Sequence, residues 1–378
     1  ACTPLAAAQE LRKLTADDGK PGDRFGTALA VDGHVLMVGA PLRDSETGTA
    51  YAFDLLTGLQ THQFAASDVK FGDRFGWQVA VTPSAFVVSS PDDTDVQGVT
   101  VGVGSLSLFD RATGVDLGKI WASDRETNDH LGYSLAVDGD LVAAGAIGGK
   151  VGGVPSGSVY LFDLATGSET ELVPADGALF DHFGNAVALG GGYVAVGAPS
   201  ADRAGVDSGS VYVFDAATAT ELYQIQPFGQ LEREYFGWDV AMDGTRLVVS
   251  SAGAKIRRAP FPSHTTTPVY VYDVATGQLL TKVDTWEAPE DGVGFGHLAI
   301  DTDRILVGMP LADEPDTWSG AAYLFHSGSG DPISKLVPSD PANWEYFGSA
   351  VGLHPDYLLI GADADLQSQG SVYLFARR

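Results

Sequence analysis

The sequence predicts an all-β fold, a seven-bladed β-propeller of four-stranded antiparallel blades. Three observations carry that expectation. Phe-Gly recurs at Phe25, Phe75, Phe183, Phe236, Phe295 and Phe347, Leu131-Gly132 fills the one gap, and the intervals are 50, 56, 52, 53, 59 and 52 residues. Each interval repeats one order of four short runs rich in Val, Leu, Tyr and Phe and bounded by Gly, Asp and Pro, the marks of strands. The last unit stops after its third run near Phe375, while the first is preceded by a spare run, Glu10-Leu11-Arg12-Lys13-Leu14.

In the first unit the inner strand is Ala28-Leu29-Ala30-Val31. Asp32-Gly33 then predicts a tight hairpin in which both central residues take positive φ, as do Asp138-Gly139 and Asp243-Gly244. The second strand, Val35 to Pro41, ends on Gly39-Ala40-Pro41. After a polar loop comes the third, Ala50 to Asp54, whose counterparts Ser158 to Asp163, Ser210 to Asp215 and Ser371 to Phe375 are nearly identical. Asp54, Asp110, Asp163 and Asp273 open Asp-x-x-Thr-Gly turns, and Asp215 ends the equivalent strand, so all five are expected to bond turn amides. The fourth strand, about Leu59 to Ala65, is polar and faces outward. Strands one to three are apolar almost throughout, as in sheets covered on both faces. Ala6 to Leu14 has a helical composition, but its second half aligns with the fourth strands Ile333 to Val337 and Glu169 to Val173. Residues 10–16 are therefore expected to complete the last blade, with 1–9 as a tail and 1–378 as one domain; such closure leaves no long open edge.

Phe25-Gly26 with Gly39-Ala40-Pro41, and Phe183-Gly184 with Gly197-Ala198-Pro199, resemble the FG-GAP repeat, and the likeness extends from about residue 10 to 378. The resemblance implies the seven-bladed head of integrin α subunits and of many secreted microbial proteins. In integrin-like copies the hairpin after Phe-Gly carries an Asp-x-Asp-x-Asp-Gly calcium loop. Here it is a tight turn at Asp32-Gly33, Thr82-Pro83, Asp138-Gly139, Gly190-Gly191, Asp243-Gly244, Asp301-Thr302 and His354-Pro355. Calcium needs six to eight oxygens, so integrin-type calcium loops are expected to be absent, no cofactor is required, and the chain is closer to the short-hairpin microbial form.

Composition narrows the functions. With 22 Lys and Arg against 49 Asp and Glu, the formal charge is −27, which argues against nucleic acid or an anionic membrane as partner. No apolar run approaches the ~18 residues that span a bilayer. The apolar fraction of 44% supports a sizeable core. Cys2 is the one cysteine, so no internal disulfide forms; a link to another chain, a free thiol or a lipid anchor are its possible roles. The start at Ala1 without Met fits an exported protein after cleavage, and we expect a bacterial or archaeal protein, secreted or at the cell surface. None of the three Asn residues opens a glycosylation sequon.

The segment leading into each inner strand holds the best candidate cluster. An acid lies seven residues before Phe-Gly at Asp18, Asp68, Asp124, Asp176 and Asp340, with a shifted one at Glu287. A second lies two residues before it at Asp23, Asp73, Asp129, Asp181, Glu234 and Glu345. Inner strands line a propeller's axis, so these acids are expected to crown the axial entrance. Two readings stand: a site for Ca2+ or Mg2+, or carboxylates that bond turn amides in every blade. Directly before Phe-Gly come Arg24, Arg74, His130, His182, Tyr235 and Tyr346, either a ring for proton abstraction from an acidic sugar or a packing layer. No Gly-x-Ser-x-Gly nucleophile elbow occurs. Trp77 and Trp238 are expected between blades, whereas Trp286, Trp318 and Trp344 fall in loops beside the acids, either as sugar-stacking residues or as wedges. The only basic cluster, Ala254 to Pro262 with Arg257 and Arg258, is either a dock for an acidic neighbouring copy or a solvated insertion. The expectation is a non-catalytic extracellular propeller that binds a protein or glycan, or assembles, through loops on one face. A lectin and a polysaccharide-active enzyme are the alternatives.

Overall fold

The computed structural model describes residues 8–94, 101–227, 232–252, 269–283, 297–312 and 318–377. Seven four-stranded antiparallel sheets follow one another around a ring. Blade one runs outward through Ala28–Asp32, Val35–Ala40, Thr49–Asp54 and Leu59–Phe64. The other blades repeat that order, blade six beginning at His297–Ile300. The inner hairpins are tight: Asp32 pairs with Val35, Asp138 with Leu141 and Gly190 with Tyr193, leaving two residues at each turn. Blade three adds a small hairpin, Lys150–Val151 with Val154–Pro155, in its loop after the second strand.

The ring closes as the spare run predicts. Glu10–Leu14 lies antiparallel to Ser371–Ala376, pairing Arg12 with Leu374, Lys13 with Tyr373 and Leu14 with Val372. Its alternation ends on a buried Leu14, as the outer strands of blades one, three and six end on buried Phe64, Leu172 and Leu336. One inward side chain per outer strand is enough to anchor a polar edge to the core.

The core lies between blades. One cluster joins Met37, Ala50 and Ala52 of blade one to Phe75, Val79, Phe86 and Phe109 of blade two. The Phe of each Phe-Gly pair works in two directions. Its ring meets its own third strand edge-on, as Phe25 does Tyr51 and Phe53 at 5.5 and 5.7 Å, and Phe347 does Tyr373 and Phe375 at 5.3 and 6.0 Å. Its backbone meanwhile bonds the blade before: Phe75 N–H donates to Thr47 O at 3.0 Å, and Phe75 forms a parallel bridge with Gly48. Equivalent bridges join Phe25 to Gly370, Leu131 to Gly104, Phe236 to Gly209 and Phe347 to Gly320.

These joints explain the glycines. A Cβ on Gly48, whose φ is +87°, would stand 2.0 Å from the Phe75 carbonyl oxygen. A Cβ on Gly39, the first residue of Gly-Ala-Pro, would stand 2.0 Å from the carbonyl oxygen of Gly76. Phe-Gly of one blade and Gly-Ala-Pro of the previous blade are thus two halves of one backbone contact. The Phe295 joint lies outside the described residues.

Candidate binding face and axial channel

Each described leading segment lies at the end of the blade where the second strand finishes and the third begins, so these segments and the described second-to-third loops share one face. They are bonded to one another across blades: Arg74 N–H donates to Glu46 O, and His130 N–H to Gly102 O, both at 2.9 Å. Arg24, Arg74, His130, His182, Tyr235 and Tyr346 all take positive φ between 50° and 59°. A non-glycine residue in that region carries strain, and here it turns the backbone from the neighbouring blade into the inner strand. Their side chains meet different partners. His130 Nδ1 meets Asp92 at 2.9 Å, which raises its pKa, whereas His182 Nδ1 meets Ser200 Oγ at 3.1 Å and burial lowers its pKa.

The paired acids sit elsewhere than around the axis. Asp18 accepts from Tyr51 OH at 3.0 Å on the third strand and from Gln63 at 3.2 Å on the outer strand. Asp124, Asp176 and Asp340 accept likewise from Tyr160, Tyr212 and Tyr373 at 2.9, 2.8 and 2.9 Å. The third-strand Tyr, apolar by pattern, therefore draws the first acid of these four pairs outward over its own blade. The second acid is buried and caps its turn: Asp23 Oδ2 accepts from Lys20 N–H at 2.8 Å, Asp73 Oδ2 from Lys70 N–H at 2.6 Å and Asp181 Oδ2 from Ala178 N–H at 2.8 Å. Asp129 takes the same bond from Glu126 N–H.

A basic side chain closes two of these pairs, and in blades two and seven it ties the first acid to another carboxylate. Arg43 bonds Asp18 at 2.6 Å and reaches Asp23 at 3.5 Å; Arg203 bonds Asp176 at 2.6 Å and Asp181 at 2.8 Å. In blade two, where Ser107 replaces the Tyr, Lys119 lies 2.5 Å from Asp68 and 2.8 Å from Asp93. In blade seven Lys13, carried by the closing strand, lies 2.7 Å from Asp340 and 2.6 Å from Asp365. Burial tends to raise the Asp18 and Asp176 carboxyls, but the hydrogen bonds from Arg43 and Arg203 win and leave both below the ordinary carboxylate value. Burial prevails at the second acids, raising Asp23 and Asp129 and pushing Asp73 up to about 6. Among the described residues no group of three or more His, Cys, Asp or Glu is placed to hold a metal ion.

A divalent cation would have to displace these ammonium and guanidinium groups. Millimolar Ca2+ is therefore expected to leave the melting temperature where EDTA leaves it, as measured by scanning calorimetry. A rise of several degrees in calcium would show instead that the carboxylates hold the ion.

Aromatic side chains gather on the same face. Trp318 and Trp344 meet edge-on at 4.3 Å, and Tyr346 lies 6.5 Å from Trp318 with Arg24 over its ring at 5.9 Å. Trp344 remains 50% exposed, and Phe71 and Phe180, in the leading segments of blades two and four, are 77% and 61% exposed. The spacing of charged residues concealed these two phenylalanines. Trp286, Arg257, Arg258 and Glu287 lie outside the described residues.

At the centre of the ring the inner strands enclose a channel of 290 Å³ to which all seven blades contribute. Trp77 and Trp238 line it rather than filling the joints, although Trp77 Nε1 does donate across to Tyr133 O of blade three at 3.0 Å. Asn185 Nδ2 donates to Trp238 O at 2.8 Å, tying blade four to blade five. A 330 Å³ recess bounded by Arg24, Pro310, Leu311, Tyr346 and Asp363 shares Thr27, Trp77, Gln78 and His297 with the channel and forms its mouth on the loop face. Asp239 and His297 face each other inside the channel, Oδ2 to Nδ1 3.9 Å apart. Neither was singled out from the pattern; the signal is that the third residue after Phe-Gly's Phe is Ala28, Gln78, Ser134, Ala186, Leu298 or Ala350 in the other blades and charged only at Asp239.

The FG-GAP repeat model matches residues 9–53, 59–109, 115–162, 166–214 and 332–375, together more than half of the chain. The chain belongs to the FG-GAP repeat family. Each matched FG-GAP unit starts on the outer strand of one blade and ends on the third strand of the next, so the repeat is out of phase with the blade by one strand. That offset is why Glu10–Leu14 belongs to blade seven. Blades five and six fall outside the matches, yet their described strands form the same FG-GAP sheets. In blade five Ser250 stands where Gly-Ala-Pro begins with Gly. No curated protein matched the chain. The FG-GAP propeller fold is that of a binding or adhesion-type scaffold.

Proposed function

We propose that this FG-GAP propeller is a non-catalytic extracellular binding protein whose partner docks on the loop face. The observation that carries the reading is the exposure of Phe71, Phe180 and Trp344 on that face, in three separate blades. Exposed aromatics spread over one face of a protein with charge −27 mark an interaction surface, because each costs solvation unless a partner covers it. The strained turns and interblade bonds beneath hold the surface in a single shape, which lowers the ordering cost of docking. Three blades span a surface larger than one sugar ring, so a macromolecule at the cell surface is the favoured partner. A glycan is the second reading, favoured by the Trp318–Trp344 pair, whose exposed ring suits stacking on a sugar.

Arrays of surface glycans and surface proteins probed with the whole chain test both. The double variant Phe71→Ser, Phe180→Ser is expected to lose at least tenfold in binding to a protein partner while keeping its melting temperature. Trp344→Ala with the same outcome on a glycan ligand would select the lectin. Binding that survives all three substitutions would overturn the reading, and turnover of an arrayed polysaccharide would replace it with an enzyme.

A further inference from the structure

We propose that the axial channel is a binding site for a small organic cation, an ammonium head group paired with Asp239 and enclosed by Trp77, Tyr133 and Trp238. The first argument is that only blade five carries a carboxylate at this position. At its position blades one, four and seven carry Ala28, Ala186 and Ala350, and their inner strands pair in the same way. An acid drawn partly out of water costs solvation, so one that a single blade places in the bore is a candidate for function.

The second argument is geometry. Asp239 Oδ1 accepts Val240 N–H and Oδ2 accepts Leu298 N–H, both at 2.9 Å, so blades five and six together hold the carboxyl in place. The side chain is 24% exposed, with the channel as the space it lines. Each oxygen keeps a lone pair for a ligand. Trp77, Tyr133 and Trp238 line the same bore, and aromatic faces around a carboxylate attract an ammonium group by cation–π forces that grow as water is excluded.

The third argument is charge. Among the described residues neither Lys nor Arg lines the channel. Burial drives His297 down to about 4, so it is neutral near pH 7. Arg24, a guanidinium at the mouth, is paired with Asp363 at 3.0 Å. A narrow low-dielectric bore through an acidic protein focuses a negative potential that draws cations inward and repels anions. At 290 Å³ the space admits a small head group and no large ligand.

Burial raises the Asp239 carboxyl to about 7, so a cation that needs the ionised form binds more tightly as pH rises through that value. The described titratable and charged groups around it are His297 and Tyr133 in the bore and Arg24, Asp363 and Tyr346 at the mouth; His297 stays neutral across this range, burial holds the Tyr133 hydroxyl above the usual tyrosine value, and Arg24 is paired with Asp363.

Choline, ethanolamine and 3,3-dimethyl-1-butanol, a neutral isostere of choline, distinguish the outcomes when titrated calorimetrically into the whole protein at low salt. Choline or ethanolamine is expected to bind at least tenfold more tightly than the neutral alcohol, and to weaken severalfold between pH 8 and pH 6. Asp239→Asn is expected to remove that difference. Equal binding of choline and its isostere, or no binding of either amine at millimolar concentration, overturns the proposal without needing any variant. The Phe71→Ser, Phe180→Ser variant is expected to leave this measurement unchanged, because neither residue lines the channel or its mouth, so the two readings fail separately.

Discussion

Deleting residues 1–16 is expected to lower the melting temperature by on the order of 10 °C or to prevent folding. The deletion removes the strand Glu10–Leu14, and with it the outer edge of blade seven. Leu14 is 4% exposed, and losing a buried leucine costs about 2 to 5 kcal/mol. The ladder to Ser371–Ala376 adds roughly 1 kcal/mol for each hydrogen bond left to water. Lys13 also leaves, stranding Asp340 beside the buried Asp365 and Glu345. Two carboxylates that shared one ammonium then face each other, and a buried acid without its partner costs more than the pair contributed. Against a total stability of about 5 to 15 kcal/mol, the sum is large. A peptide of residues 8–16 added to the truncated chain is expected to restore much of the loss, because the groove between Ser371–Ala376 and blade one stays shaped for it. Calorimetry of both samples checks this, and an unchanged melting temperature after truncation would refute the account of closure.

Gly48→Ala is expected to destabilise the propeller by about 3 to 5 kcal/mol, from overpacking against a neighbouring backbone and from strain at positive φ. The added methyl group would lie 2.0 Å from the Phe75 carbonyl oxygen and 2.6 Å from its nitrogen. Neither atom can move without breaking the Phe75 N–H bond to Thr47 O that joins blades one and two. Gly33→Ala is the control. Its φ of +56° is also left-handed, but nothing lies within 4 Å of the new Cβ, so about 1 kcal/mol is expected. Denaturant melts of the two variants separate interblade contact from backbone preference. Equal losses would mean that conformational freedom alone explains the glycine, and that the joint tolerates a side chain.

Much of this architecture could be read before any coordinates. Six Phe-Gly pairs and Leu131-Gly132 set the number of blades, the match of Glu10–Leu14 to the other fourth strands identified a displaced outer strand, and Asp54, Asp110 and Asp273 were recognisable as turn residues. The structure agrees: Thr57, Thr113 and Thr276 amides each donate to those carboxylates at 2.8 to 2.9 Å. Such features are local, so the chemistry that produces them lies within a few residues.

The acids show where local reading stops. Asp18 and Asp23 are five residues apart, but their behaviour depends on Tyr51 and Arg43, which come from a later strand and loop. The pattern correctly marks the pair and misplaces it, because the direction of a carboxylate is chosen by the donor that desolvates with it. Phe71 and Phe180 look like ordinary apolar residues in sequence, and only their missing neighbours expose them.

Blade count, strand order and ring closure thus belong to the chain's periodicity, since hydrophobic spacing and turn chemistry act over short distances and repeat faithfully. The pairing of each acid, the tightness of Gly48 against Phe75, and the meeting of Asp239 with His297 inside the bore appear only once the blades stand side by side. Those contacts join residues of different strands or blades, which no short stretch of sequence brings together.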